Sequence, residues 1–187
     1  MSLRKLPGGG LDRLIRKILP SEEDASTLGL IRRMRAARTR GYLTAFELEA
    51  VCSWKSPRAI RLVRCNPSSA IRAATRAALA TRSERARMES LLELRGVGVP
   101  TASAILMLLD PKRYGVIDIR SWQLLHETGT VRTNARGTGL TLENWLEYLT
   151  ILRRFARKLR ISARDVGRTL FHLHREHQVG RLYGNPS

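Results

Sequence analysis

An apolar helical run that stops at Gly96-Val97-Gly98 and restarts at once with Pro100-Thr101-Ala102 constrains this chain more than any other feature. The stretch from Leu94 to Trp122 reads LRGVGVPTASAILMLLDPKRYGVIDIRSW. Read alone, Gly-x-Gly is a sharp corner, because glycine tolerates positive φ. Three features in register with it change that reading. Apolar residues flank the turn at Leu91, Leu94, Ala102 and Ile105. The small residues Ala102, Ser103 and Ala104 let two helices pack closely. A short apolar, strand-like step, Val116-Ile117, then delivers one acid, Asp118. A Gly-x-Gly turn between helices aims free backbone N–H groups at a phosphate. A carboxylate just beyond it is placed for chemistry on the same molecule.

Most of the remaining chain reads helical. Leu11, Leu14, Ile15 and Ile18 form an apolar stripe stopped by Pro20. Ser21 is the expected cap of an acidic turn, Glu22-Glu23-Asp24, whose helix ends in the basic run Arg32 to Arg40 before Gly41. Thr44 to Glu47 is a capping box for a short helix to about Ser53, and the stretch Trp54 to Arg58 reads as a break, with Pro57 restarting a helix. Asn66-Pro67 repeats that signal before Ile71 to Leu79, and Thr81 to Glu84 is a further capping box before Met88, Leu91 and Leu92. Thr101 to Leu109 is closed by Asp110-Pro111. Asp118 opens Ile119 to Glu127, a polar loop with three glycines spans 129–139, Thr141 starts an amphipathic helix, and Ser162 to Asp165 opens the last one. There is no sustained period-2 strand, repeat or low-complexity tract. The tips Pro7 to Gly10 and Tyr183 to Ser187 read as mobile.

Charge narrows the partner. Lys and Arg total 34 against 16 Asp and Glu, a formal net charge of +18 on 187 residues. Such an excess fits a polyanion. No run of about 18 apolar residues exists to span a bilayer. The N-terminal segment lacks the apolar core and small-residue cleavage site of a secretory signal. The expectation is a cytoplasmic, nucleoid-associated protein with no membrane partner. Cys52 and Cys65 lack paired spacing and read as reduced, and two cysteines cannot hold a four-cysteine cluster within one chain.

The residues resemble the helix-hairpin-helix DNA glycosylases, the group of endonuclease III, adenine glycosylase and 8-oxoguanine glycosylase. Leu94-Arg95-Gly96-Val97-Gly98-Val99-Pro100-Thr101-Ala102 is similar to that group's Leu-Pro-Gly-Val-Gly-x-x-Thr-Ala, with Arg95 in place of proline. Val116-Ile117-Asp118-Ile119-Arg120 is similar to its Val-Asp-x-His step, with Arg120 where histidine is common. The spacing from Pro100 to Asp118 also matches, and the likeness covers about thirty residues. The segment before the hairpin is shorter than in typical members.

The resemblance implies an all-α fold of two helical lobes flanking a cleft. Residues 43–117 would form a central lobe with the hairpin at 92–102, and 1–42 plus 118–187 the second lobe of one glycosylase fold. It implies that Gly96, Gly98 and Thr101 offer backbone N–H groups to a phosphate. The carbonyls of Leu92, Leu94 and Val97 would hold a structural K+ or Na+, with no other cofactor required. Asp118 would stand over the deoxyribose of a flipped nucleotide. Breaking an N-glycosidic bond builds positive charge on the sugar, which a carboxylate stabilises. Asp118 also suits the plain role of helix N-cap. Bifunctional members place a lysine just before the motif threonine, where this chain has Pro100, and proline forms no Schiff base. A monofunctional enzyme that leaves an abasic site is therefore expected, acting as a monomer on double-stranded DNA with a damaged or modified base. Two alternatives stand: a non-catalytic DNA-binding module, and a bifunctional glycosylase/lyase using Lys55, which falls where the family lines its base pocket.

The expected base pocket is Trp54, Lys55 and Tyr42, with Tyr114 a weaker choice. Trp54 is equally readable as core. Trp122 reads as packing behind Asp118. Arg58, Arg120 and Lys112 are expected on the DNA backbone, against the plain reading of solvated surface charge. His172, His174 and His177 do not share one helical face and lack metal-ligand spacing, and His174 reads as inward-facing.

Overall fold

A computed structural model of the chain describes residues 2–3, 10–19 and 22–179. The fold there is all-α. The helices are α1 (Leu11–Ile18), α2 (Ala25–Arg40), α3 (Ala45–Lys55), α4 (Ile60–Arg64), α5 (Ser68–Ala80), α6 (Glu84–Leu92), α7 (Val99–Leu109), α8 (Ile119–Glu127), α9 (Leu142–Leu159) and α10 (Ala163–His177). A 3₁₀ turn, Pro57–Ala59, precedes α4. A two-residue antiparallel pair joins β1 (Ser2–Leu3) to β2 (Gln178–Val179), which the sequence pattern did not announce. Among the described residues no helix is long and apolar enough to cross a membrane.

Local chemistry sets most boundaries. Thr44 caps α3, Thr141 caps α9 and Ser162 caps α10, each in a reciprocal capping box. Gly41 ends α2 at φ +83°, the left-handed conformation that favours glycine. Three expectations shift. Asp24, not Ser21, caps α2, its carboxylate accepting the Thr27 N–H at 2.9 Å; Ser21 and Pro20 lie outside the described residues, as do Pro7 to Gly9 and Tyr183 to Ser187. Ser83, not Thr81, caps α6, accepting the Ala86 N–H at 3.2 Å, while Thr81 accepts from Ser83. Helix α3 runs on through Trp54 and Lys55 instead of breaking before them, because the Ser56 N–H still reaches the Cys52 carbonyl at 2.7 Å.

Helix α7 is the core of the molecule. Pro100 apart, each of its residues is buried, and it packs against α2, α3, α6 and α9. Each large apolar side chain buried this way contributes about 1.5–3 kcal/mol. Helix α10 packs on α8, α9 and α1. It reaches the segment leading to Asp118 only because Gly115 and Gly167 lack side chains. A Cβ on Gly115 would lie 3.0 Å from the Ala163 carbonyl oxygen, and one on Gly167 3.1 Å from the Tyr148 hydroxyl.

Candidate active site

The segment 116–118 is extended and held from two sides. The Tyr148 hydroxyl donates to the Val116 carbonyl at 2.9 Å. The Ile117 N–H donates to Ser103 Oγ at 3.2 Å, and that hydroxyl donates to the Pro100 carbonyl at 2.8 Å. Ser103 therefore ties the first turn of α7 to the acid-bearing segment. Burial pushes the Tyr148 phenol far above its ordinary range, so it stays a neutral donor.

Asp118 then caps α8. Its Oδ1 accepts the Ser121 N–H at 2.9 Å and the Ser121 hydroxyl at 3.0 Å, and the Ser121 hydroxyl accepts the Asp118 N–H. The N-cap reading of this residue thus holds: one carboxylate oxygen closes the helix end, and the other is left off the cap. Oδ2 lies 3.5 Å from Lys55 Nζ. Both side chains are 18% exposed, so the pair is mostly but not wholly withdrawn from solvent. Trp122 packs fully buried behind it, its indole N–H donating to the Thr133 and Asn134 carbonyls and anchoring the 129–139 loop.

Two cavities meet at this pair. The larger, about 760 Å3, is lined by Trp54, Lys55, Val116 and Asp118 on one side and by Glu23, Arg164, Gly167, Phe171, His172 and Arg175 on another. The smaller, about 360 Å3, is lined by Lys55, Ser56, Arg58, Pro100, Asp118 and the loop residues Gly137 to Leu140. Ser56 meets the buried Thr101 hydroxyl at 3.3 Å, which fixes the end of α3 beside the start of α7 and brings Lys55 to Asp118. Trp54 is half-buried on the larger cavity, with the Arg164 guanidinium 6.0 Å from its ring centre. Arg164 is itself held by Glu23 in a two-pronged pair at 2.7 and 2.9 Å.

The turn between α6 and α7 brings Gly96 and Gly98 into different roles. Gly96 has φ +78°, and a Cβ there would sit 2.9 Å from Leu62 Cβ and 3.0 Å from the Ala59 carbonyl oxygen. It is a packing position facing inward. Gly98 caps α7 at φ −91°, with open space around it and no side-chain cap. The N–H groups of Val99 and Thr101 lie in the first turn, where a helix supplies no acceptor. Arg95, at the position where the motif has proline, uses its N–H: it donates to Asn66 Oδ1 at 2.9 Å, while the Asn66 amide donates back to the Arg95 carbonyl at 2.9 Å. Leu92, Leu94 and Val97 flank the turn, and the Val97 N–H closes it on the Leu94 carbonyl at 3.1 Å.

Three of the expected contacts are displaced. Tyr42 lines neither cavity; its ring lies against Arg40 and Arg76, at 4.8 and 5.0 Å. Arg120 does not face outward for a phosphate. It turns onto α10, donating to Gln178, lying 3.5 Å from His174 Nδ1 and over the Phe171 ring at 5.5 Å. Lys112 is exposed on a turn whose carbonyls receive the first N–H groups of α10, away from both cavities. Arg58 is exposed on the smaller cavity, next to Lys55. His174 is buried, 2.9 Å from Gln123 Oε1.

The far wall of the larger cavity was not legible as a site. Glu23 and Arg164 are 141 residues apart, and each reads in sequence as part of a helix start. Compared with protein-family models, with curated proteins and with solved structures, the chain matches none.

Proposed function

We propose that this chain is a monofunctional DNA glycosylase: it receives a damaged or modified base, everted from duplex DNA, in the cleft beside Asp118 and hydrolyses its N-glycosidic bond. The observation that carries the reading is the division of labour on one carboxylate. Oδ1 of Asp118 is fixed by Ser121, while Oδ2 faces the cavities with Lys55 at 3.5 Å, next to the half-buried Trp54. In the reaction the bond from C1′ to the base nitrogen breaks, and the base leaves with the bonding pair and takes up a proton from solvent. A water oxygen bonds to C1′. Oδ2 stabilises the cationic sugar and accepts the proton of that water. Trp54 stacks on the base and offsets its lost stacking in the duplex.

The same reading treats α6, the turn and α7 as a helix-hairpin-helix motif, and the helices on either side of the cleft as two lobes. The open N-terminus of α7, with Gly98 bare, takes a backbone phosphate; Arg58 flanks it. Gly96 contributes by closing the turn instead of by contact. Leu92, Leu94 and Val97 would present their carbonyls to K+ or Na+, the Leu94 oxygen through its remaining lone pair. The net charge of +18 supports DNA as the partner.

A second reading has one observation of its own. Lys55 Nζ lines the same cavity as Pro100, so α3 offers an amine beside the residue where bifunctional enzymes carry their lysine. Duplexes with a panel of lesions, run on denaturing gels with and without alkali, separate the readings. The proposal expects breaks only after alkali. Breaks without alkali, trapped by borohydride and lost in Lys55→Ala, assign the lyase. Tight binding with no breaks across the panel leaves only a binding module.

A further inference from the structure

At the other end of α7 the C-terminal ends of α2, α5 and α7 converge around a separate cavity of about 520 Å3. Helix α7 has eleven residues, so at about 1.5 Å per residue its two ends lie about 16 Å apart. Five arginines line this cavity, Arg38, Arg40, Arg76, Arg87 and Arg113, against a single acid, Asp110. Its floor is apolar: Leu79, Leu106 and Leu109.

Part of that positive charge answers the partial negative charge of the helix ends. Arg87 donates to the Ala78 and Thr81 carbonyls and is 7% exposed. Arg113 pairs with Glu84 at 3.0 Å, and Arg40 pairs with Glu47. Arg38 lies 3.3 Å from Asp110 but is 58% exposed. Arg76 differs from all of these. It is exposed, meets no carboxylate among the described residues, and rests 5.0 Å from the centre of the Tyr42 ring, which also holds Arg40 at 4.8 Å. Two guanidinium groups against one ring repel each other, and an anion at the rim relieves that repulsion. Guanidinium forks match phosphate oxygens in pairs. The volume falls in the usual range for small-molecule sites, and an apolar floor under a cationic rim suits a ligand with a flat apolar part and a phosphate.

We propose that this cavity binds a nucleotide through its phosphate, held by Arg38 and Arg76 with Arg40 behind them, and its base on the leucine floor. The site is independent of Asp118 and of the reaction assigned to it. Titration calorimetry of the full chain at low salt with AMP, inorganic phosphate and adenosine tests it. AMP is expected to bind about ten-fold or more tighter than either of its halves, inorganic phosphate or adenosine. Arg76→Glu should weaken AMP by about ten-fold or more, while Arg132→Glu, the same charge change on an exposed loop, stays within about two-fold. Asp118→Asn leaves AMP binding unchanged. Arg76→Gln repeats the measurement should Arg76→Glu unfold. A short single strand that displaces AMP assigns the phosphate to a nucleic-acid backbone, and one that does not assigns it to a free nucleotide. No AMP binding, inorganic phosphate binding as tightly as AMP, or equal losses in Arg76→Glu and Arg132→Glu would each overturn the site.

Discussion

Replacing Asp118 by Asn keeps the cap of α8, because an asparagine side-chain oxygen accepts the Ser121 N–H as a carboxylate does. Replacing it by Ala removes that acceptor and costs about 1 kcal/mol. Chemical denaturation should therefore show Asp118→Asn near wild type and Asp118→Ala less stable. Equal stability of all three would mean that the cap holds nothing. The two turn glycines separate in the same way. Gly96→Ala forces a side chain into φ +78° and against Leu62, so a loss of about 1–3 kcal/mol is expected. Gly98→Asp enters open space and gains a favoured cap. Its stability should hold or rise while its DNA affinity falls, because the new carboxylate repels the phosphate. Unchanged DNA affinity in Gly98→Asp would take the phosphate away from this turn. Sequence alone reached these residues because the turn is contiguous and its chemistry local. It also gave Gly96 and Gly98 the same duty; packing against the 3₁₀ turn and α4 divides them. Arg120 read as a free cation, and only the fold reveals that α10 claims it.

Helix α10 closes the molecule over α8, and its buried imidazole makes that closure sensitive to acid. Burial, and then the Arg120 cation, push His174 down to about 4, with the Asp118 charge pulling weakly the other way. Burial pushes the His172 imidazole down as well. The unfolded chain takes up these protons below about 6.5, whereas the folded one resists them. Stability is therefore full above about 6.5 and falls as pH drops toward 4. Thermal unfolding followed across that window should show the decline, and His174→Gln should flatten much of it. A melting temperature constant from pH 6.5 to 4.5, or the same slope in His174→Gln, would contradict the assignment. At this scale the sequence was informative: caps and periodicity located each helix, and His174 read as inward. Where it erred, tertiary contacts decided. Trp54 and Lys55 stay helical because the last turn of α3 is hydrogen-bonded through Ser56, and this holds Lys55 against Asp118. The strand pair between β1 and β2 carries no local signal at two residues per strand.

The whole molecule carries a net charge of +18, and on the proposed function a polycation binding DNA phosphates releases counterions. Affinity should fall steeply and linearly on a logarithmic salt scale; a flat response would remove the electrostatic basis of the partner. All-helical architecture was legible from the spacing of apolar residues, as was the position of Asp118 relative to the turn between α6 and α7. The cleft wall was not, since Glu23, Arg164 and Phe171 come together only when the first and last parts of the chain fold onto each other. The most direct test of the account is single-turnover base release on a duplex carrying a lesion that the wild-type protein excises. The account predicts that Asp118→Asn releases the base slower by about two orders of magnitude or more, while binding the same duplex with nearly wild-type affinity. Release by Asp118→Asn at the wild-type rate would contradict it.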